Sequence, residues 1–293
     1  MSFKPSKVIA GVMKWGSWGA QLSTTDMASL LKGCLDIGVH TFDHADIYGG
    51  HTTEAEFGKA FSSSGVKRSD VKLISKCGIM MPSEKRPQIL AKAYDYTHEH
   101  IINSVDKSLQ NLETDYLDLL LLHRPSPLLD PKIVAKTAAD LQSSGKVLHF
   151  GVSNFTPSQV KLMQSELAVQ ANQIEISPYA LGCMVDGTLD QCITEEIIPM
   201  AWSPLAGGQL FGLLSDPQEL AKRERLLLVA KKYNWDLDYM IYLFLLHHPA
   251  QIHIVTGSSK IERIKIAQNA TGASISNSQW FEIYEACRGH EIA

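Results

Sequence analysis

Short apolar runs alternate with longer amphipathic stretches from one end of the chain to the other. The short runs, bounded by glycine or polar residues, predict strands at Lys7 to Val12, Val39 to Asp43, Val71 to Lys76, Leu117 to His123, Val147 to Ser153, Asn172 to Ile176, Pro199 to Ser203 and Ile252 to Thr256. Between them apolar residues recur three and four apart. That spacing predicts helices over Thr25 to Ile37, Thr53 to Phe61, His98 to Leu112, Pro131 to Gln142, Ser158 to Leu167 and Leu189 to Ile197, and a pair from about Gln218 to His247. Ser23 to Asp26, Thr97 and Thr156-Pro157 supply start signals, and Ser278 to Arg288 reads as a terminal helix. Leu119-Leu120-Leu121-Leu122 is apolar on both faces, as suits a parallel strand covered by helices outside and by a packed interior inside. Strand followed by helix eight times, with no linker and no shift in composition, points to one α/β domain over residues 1–293. The fold expected is a single (β/α)8 TIM barrel rather than an open sheet. The longest loop, Gly78 to Tyr96, reads either as an adaptable apolar lid around Met80-Met81-Pro82 or as a surface excursion with a short helix of its own.

Composition narrows the partners. The chain has 293 residues, 45% of them hydrophobic and 20% charged, which is ample for a core and has the balance of a globular protein. A formal net charge of -4 without a long lysine or arginine run gives no electrostatic reason to expect nucleic acid or an anionic membrane. Small molecules are the expected ligands. The first residues lack a signal peptide's apolar core and the stretch from Tyr239 to Leu246 is too short to span a bilayer, so a cytoplasmic location is expected. Cysteines at 34, 77, 183, 192 and 287, with no C-x-x-C pair, fit reduced buried thiols. Cys77, beside a lysine, reads first as a small packing residue and second as a reactive thiol.

In a barrel of this kind reactive groups come from the C-terminal ends of the strands. Asp43 ends the second strand, with Tyr48 in the loop HADIYGG behind it; Lys76 ends the third strand and His123 the fourth. A tyrosine, with an ordinary pKa of about 10, is a poor acid at neutral pH unless a nearby cation favours its phenolate. Lys76 can supply that cation, worth roughly 4 kcal/mol for a shift of about 3 units. Asp43 can keep Lys76 charged and aimed, and His123 can hydrogen-bond an incoming carbonyl oxygen. Singly, the same residues read as a structural ion pair, a strand-end histidine and a loop aromatic. His44, Asp46, His51 and His123 also admit a metal site, but an H-x-H pair is missing and Lys76 would repel a cation, so no metal is expected. Gly49-Gly50 are expected to let the chain turn away, with His44 and Asp46 bracing the loop by hydrogen bonds.

The glycines lack the G-x-G-x-x-G spacing. Phosphate can be held instead by loops late in a barrel, and Gly257-Ser258-Ser259-Lys260 with Arg263 one turn on fits this, as it fits a capped helix with solvated basic residues. Trp202, before Ser203-Pro204-Leu205, offers a face for a flat ring, or is a core tryptophan.

The ordered blocks TFDHADIYGG (41–50), ISKCG (74–78), DYLDLLLLHRPSP (115–127), GKVLHFGVSNFTP (145–157), NQIEISPY (172–179), AWSPLAGG (201–208) and GSSKIERI (257–264) make the chain similar to the aldo-keto reductases. HADIYGG, HFGVSNFTP and DGTLDQ (186–191) are most similar to a bacterial branch of general oxidoreductases. The resemblance implies a barrel that binds NADPH (NADP+) without a Rossmann domain and reduces aldehydes or ketones to alcohols by direct hydride transfer. It implies that Asp43, Tyr48, Lys76 and His123 form the catalytic tetrad, with Tyr48 as general acid. Ser153, Asn154 and Gln173 would bond the nicotinamide carboxamide, and Trp202 would stack on the nicotinamide ring. Ser203 and Leu205 would lie at the pyrophosphate, Met13 and Gly257 elsewhere in the cofactor site, and Ser258, Lys260 and Arg263 at the adenosine 2′-phosphate. Two stretches depart from the family: Lys265-Ile266-Ala267-Gln268-Asn269 lacks the frequent Glu-Asn pair for adenine, and Gly11-Val12-Met13 replaces the usual G-T-W. The pocket is expected to be shaped by Met13, Trp15, Tyr48, the Gly78 to Tyr96 loop and the tail. The alternative reading is an NADPH-sensing regulatory protein on the same fold with little turnover.

Overall fold

The computed structural model describes residues 2–83 and 86–293. Its elements in chain order are β1 Val8–Gly11, α1 Thr24–Asp36, β2 Thr41–Asp43, a one-turn α2 Tyr48–His51, α3 Thr53–Ser64, β3 Lys72–Cys77, β4 Ile79–Met80, β5 Ala93–Tyr94, α4 His98–Leu112, β6 Leu119–Leu122, α5 Pro131–Ser143 and β7 Phe150–Ser153. There follow α6 Pro157–Gln164, β8 Ala171–Glu175, α7 Thr188–Thr194, β9 Ile198–Trp202, α8 Pro217–Tyr233, α9 Leu237–Leu246, β10 His253–Thr256, α10 Ile261–Ala270 and α11 Asn277–Arg288. Eight strands close a parallel barrel in the order β1-β2-β3-β6-β7-β8-β9-β10. This is the TIM-barrel arrangement that the strand-helix rhythm predicts.

The all-leucine strand shows why the apolar runs are short and unbroken. Leu119 and Leu121 join Ile9, Ile74, Ala171, Met200 and Val255 inside the barrel, whereas Leu120 and Leu122 join the layer between strands and helices. Both faces are dry, so both must be apolar. Helix ends follow local chemistry. Ser23 accepts from the Asp26 N–H, Thr97 from the His100 N–H, and Asp130 and Asp216 cap helices whose first turn contains proline. The N-terminal segment covers the bottom of the barrel: Phe3 belongs to the inner cluster and Ser6 exchanges hydrogen bonds with Thr41.

The loop after β3 lacks, in its described part, the short helix of the surface-excursion reading. Instead β4 and β5 pair antiparallel, Ile79 opposite Tyr94 and Met80 opposite Ala93. Residues 84 and 85 of that loop lie outside the described residues. α6 and α7 each end three residues sooner than their periodicity suggests. No helix among the described residues is long and apolar enough to cross a membrane.

Candidate active site

Side chains alternate along a strand, so a residue two beyond an inward apolar one also points inward. Two positions beyond the inward Ile74, Leu121, Ala171 and Met200 stand Lys76, His123, Gln173 and Trp202, all at the C-terminal rim. Asp43 joins them from the end of β2. Lys76 Nζ lies 2.8 Å from each Asp43 carboxylate oxygen, 2.7 Å from the His44 carbonyl and 3.1 Å from Tyr48 Oη. An ammonium has no lone pair, so it donates in every one of these contacts and Tyr48 Oη accepts. The phenol's own proton therefore points away from Lys76. With Lys76 only 1% and Asp43 2% exposed, the pair tolerates loss of water because each ion's bonding capacity is used.

The charges act on one another in opposite senses. Burial works against the Lys76 ammonium, but Asp43 and Tyr48 outweigh it and its pKa lies above the ordinary lysine value. Tyr48 moves contrary to the sequence expectation: burial raises its pKa, and the pull of Lys76 offsets that only in part. The group is a protonated phenol at neutral pH. His123 stands edge-on to Tyr48, ring centroids 6.1 Å apart. Its Nδ1 is buried without a partner among the described residues, and burial, then Lys76 and Arg124, hold its pKa well below the usual value. It is a neutral imidazole with its bonding capacity unspent.

The remaining rim residues form one hydrogen-bonded chain. Trp202 Nε1 donates to Asn154 Oδ1 at 2.9 Å, Asn154 Nδ2 to Ser153 Oγ at 2.8 Å, and Ser153 Oγ to the Gln173 carbonyl at 2.9 Å. Gln173 Nε2 then donates to Asp43 Oδ1 at 2.8 Å, joining this row to Lys76 and Tyr48. Asn154 and Ser203, just past the ends of β7 and β9, have φ of 61° and 49°, a left-handed backbone that non-glycine residues hold where a site demands it. Leu205 lies half-buried three residues past β9, and Met13 half-buried just past β1. The turn after β10 carries Gly257 and Ser258, whose Oγ accepts from the Lys260 N–H at 3.1 Å. Lys260 and Arg263 are exposed, neither in an ion pair among the described residues, and no side chain caps the first turn of α10. Trp15, expected beside the pocket, is fully buried; its Nε1 donates to the Ser258 carbonyl at 2.9 Å and ties the two loops together. At the tail, α11 packs against α8 on the barrel's outside.

The model of the Aldo/keto reductase family matches residues 7–287. The chain belongs to that family. It is 43% identical to the oxidoreductase YcsN of Bacillus subtilis (strain 168) over 289 residues, covering 98% of this chain and 96% of the relative. It is 36% identical to the 6-dehydroglucose reductase of Agrobacterium fabrum, again over 98% of this chain and 96% of the relative. Among solved structures, the glycerol dehydrogenase of Gluconobacter oxydans shares the fold, with a TM-score of 0.84 at 20% identity and coverage of 98% of this chain and 92% of that one. As a family member the chain is an oxidoreductase.

This aldo-keto reductase departs from the sequence reading behind the loop. The side chains of His44 and Asp46 do not brace it: both His44 ring nitrogens are buried with no hydrogen-bond partner among the described residues, and the buried Asp46 carboxyl has the Ile47 backbone N–H beside it but no side-chain partner among them. His44 packs edge-on to Phe57 at 4.4 Å, and burial, with Lys76 second, pushes its pKa down to about 3. Burial, then Glu54, holds Asp46 well above the carboxylate range. The bracing comes from backbone carbonyls instead. That of Asp46 is bonded by His51 Nδ1 at 2.7 Å, and that of Gly49 by Ser17 and Thr52 at 3.0 Å each. Gly49 and Gly50 take φ of 63° and 64°, where glycine carries no penalty. Cys77 is a buried thiol raised well above its ordinary pKa by burial and then Asp46. No group of three or more His, Cys, Asp or Glu among the described residues could hold a metal.

Four further residues shape the site. Glu54 on α3 lies behind Lys76, bonded by Ser75 at 2.6 Å and Ser108 at 3.1 Å. Trp18 stands 6.3 Å from the Tyr48 ring and is 42% exposed. Arg124 lies over Trp202, and Tyr96 Oη holds the Arg124 backbone, donating to its carbonyl at 2.5 Å and accepting from its N–H at 3.0 Å. The motif HRPSP puts Arg124 next to His123; nothing in sequence marks the other three.

Proposed function

We propose that the chain is an NADPH-dependent reductase of aldehydes or ketones in which Tyr48 is the general acid, held by Lys76 and Asp43. The observation that carries this is the Lys76 ammonium bonded at once to Asp43 and to Tyr48 Oη. The rim residues fit the cofactor: amide and hydroxyl groups of Ser153, Asn154 and Gln173 for the carboxamide, the Trp202 face for the nicotinamide ring, and Ser203 and Leu205 for the pyrophosphate. The first turn of α10, uncapped and flanked by Ser258, Lys260 and Arg263, suits a phosphate. Met13 and Gly257 border the same region. When bound, the nicotinamide supplies the hydride. Everything else falls to the side chains. His123, neutral and uncommitted, donates to the carbonyl oxygen and fixes it near Tyr48. Tyr48 stays protonated until that oxygen gains charge, then gives up its proton. Lys76, already donating to Oη, stabilises the phenolate left behind, and Asp43 keeps Lys76 charged.

The expected consequence is that Tyr48→Phe lowers reduction by at least about a hundredfold, the range of a lost general acid, while leaving NADPH binding within about twofold. Stopped-flow turnover and cofactor fluorescence titration check the two arms. A variant retaining most of its activity would sink the mechanism. The 6-dehydroglucose reductases among the relatives make a carbohydrate aldehyde a suitable first compound.

A further inference from the structure

Arg124 is a rim cation that neither the proton-transfer group nor the hydrogen-bonded row from Trp202 to Gln173 uses. It follows His123 directly, its guanidinium lies 5.4 Å from the centre of the Trp202 ring, and it makes no ion pair or side-chain hydrogen bond among the described residues. Its backbone, by contrast, is fixed from both sides by Tyr96 Oη. A cation whose main chain is clamped and whose guanidinium lies over an aromatic ring is partly ordered beforehand, so less freedom is lost when it binds. The acids nearby cannot satisfy it: Asp43 is committed to Lys76 and Gln173, and burial favours the neutral form of Asp46. Lys92, exposed, adds a second positive charge felt at His123.

Building on the reductase reading, we propose that Arg124 is the specificity determinant of the site and binds a carboxylate on the carbonyl substrate, through the two parallel N–H···O bonds of a guanidinium fork. Trp18 also stands beside Tyr48, their ring centroids 6.3 Å apart. The substrate class is thus an aldehyde or ketone that also carries a carboxylate, with the carbonyl at Tyr48 and His123 and the anion at Arg124.

The test compares 3- and 4-carboxybenzaldehyde with the matching hydroxymethylbenzaldehydes, which are similar in size and in electronic pull but neutral. With saturating NADPH, the wild type is expected to show kcat/KM at least about tenfold higher for one or both carboxylates, mainly through KM, as a charge-assisted bidentate pair provides. Raising salt from about 20 mM to about 500 mM narrows that gap. Arg124→Met lowers kcat/KM about tenfold more for the carboxylates than for their neutral partners, and Arg124→Lys keeps part of the preference. Equal rates for charged and neutral aldehydes overturn the proposal while leaving the reductase reading standing. So does a uniform loss in Arg124→Met, or a loss confined to NADPH affinity. No turnover of any carbonyl takes down the reductase reading and this inference with it.

Discussion

Asp46 sits two residues before Tyr48, sealed from water, with the Ile47 N–H beside its carboxyl and no side chain among the described residues bonded to it. Burial, with Glu54 adding to it, keeps the proton on. The unfolded chain releases that proton near pH 4, whereas the folded chain holds it to higher pH. The contribution to stability is therefore complete below about pH 4 and is lost as pH rises toward the folded value. Asp46→Asn keeps the shape and removes the ionisation. Its unfolding free energy, relative to wild type, is expected to improve as pH rises from about 5 toward the folded value, measured by urea melts at fixed pH values. An offset that stays constant with pH would show that Asp46 ionises as freely folded as unfolded. That Asp46 and His44 lack side-chain partners among the described residues could not be read from sequence, because the polar letters of HADIYGG say nothing about what covers them. The bonds that brace the loop go to carbonyls, which every residue has.

At the scale of elements, the turn from β3 into the hairpin β4–β5 links stability to the site. Gly78 has φ of 105°, and a Cβ there would run into the Tyr96 ring. Gly78→Ala is thus strained twice, by backbone and by clash, at a cost of about 2 kcal/mol or more. The route of relief is displacement of Tyr96, which would free the Arg124 backbone. Thermal melts should show the loss, and kcat/KM should fall further than in Tyr96→Phe, where the ring stays and only its hydroxyl goes. A Gly78→Ala protein as stable and active as wild type would mean the hairpin shifts as a body without cost. The barrel strands were legible because each is a dry apolar run. The hairpin was not: two residues per strand are too few to display a period, and Met80-Met81-Pro82 reads equally as lid or surface. Asp43, Lys76 and His123 were legible as neighbours because they end consecutive strands, whereas Trp202 was legible only as a strand-end aromatic and Gln173 only through the family resemblance. The bond from Gln173 to Asp43, 130 residues apart, depends on the closure of the barrel and has no local signature.

The whole molecule separates its two ends. The upper rim carries the buried Asp43, Lys76 and His123, while the lower end is stoppered by the first residues, with Phe3 in the inner cluster and Ser6 tied to Thr41. That stopper was not legible, since Ser2 to Ser6 shows no periodicity and its place depends on the ring of strand starts above it. His253, at the start of β10, hydrogen-bonds the Ser6 carbonyl at 2.9 Å, and burial leads in pushing its pKa down to about 4. An unfolded imidazole takes up a proton near pH 6.5. Because the folded value is lower, the contribution of His253 is present above pH 6.5 and is lost as pH falls toward 4. Replacing it with a side chain that does not titrate removes that dependence. In His253→Asn, the slope of unfolding free energy against pH between about 4.5 and 6 should differ from wild type by up to about 1.4 kcal/mol per pH unit, the value for one proton, in the sense of weaker acid destabilisation. Turnover at pH 7.5 should hardly change, because the substitution lies at the end of the barrel away from Tyr48. Loss of turnover with an unchanged acid slope would contradict both the linkage of His253 to folding and the separation of the two ends.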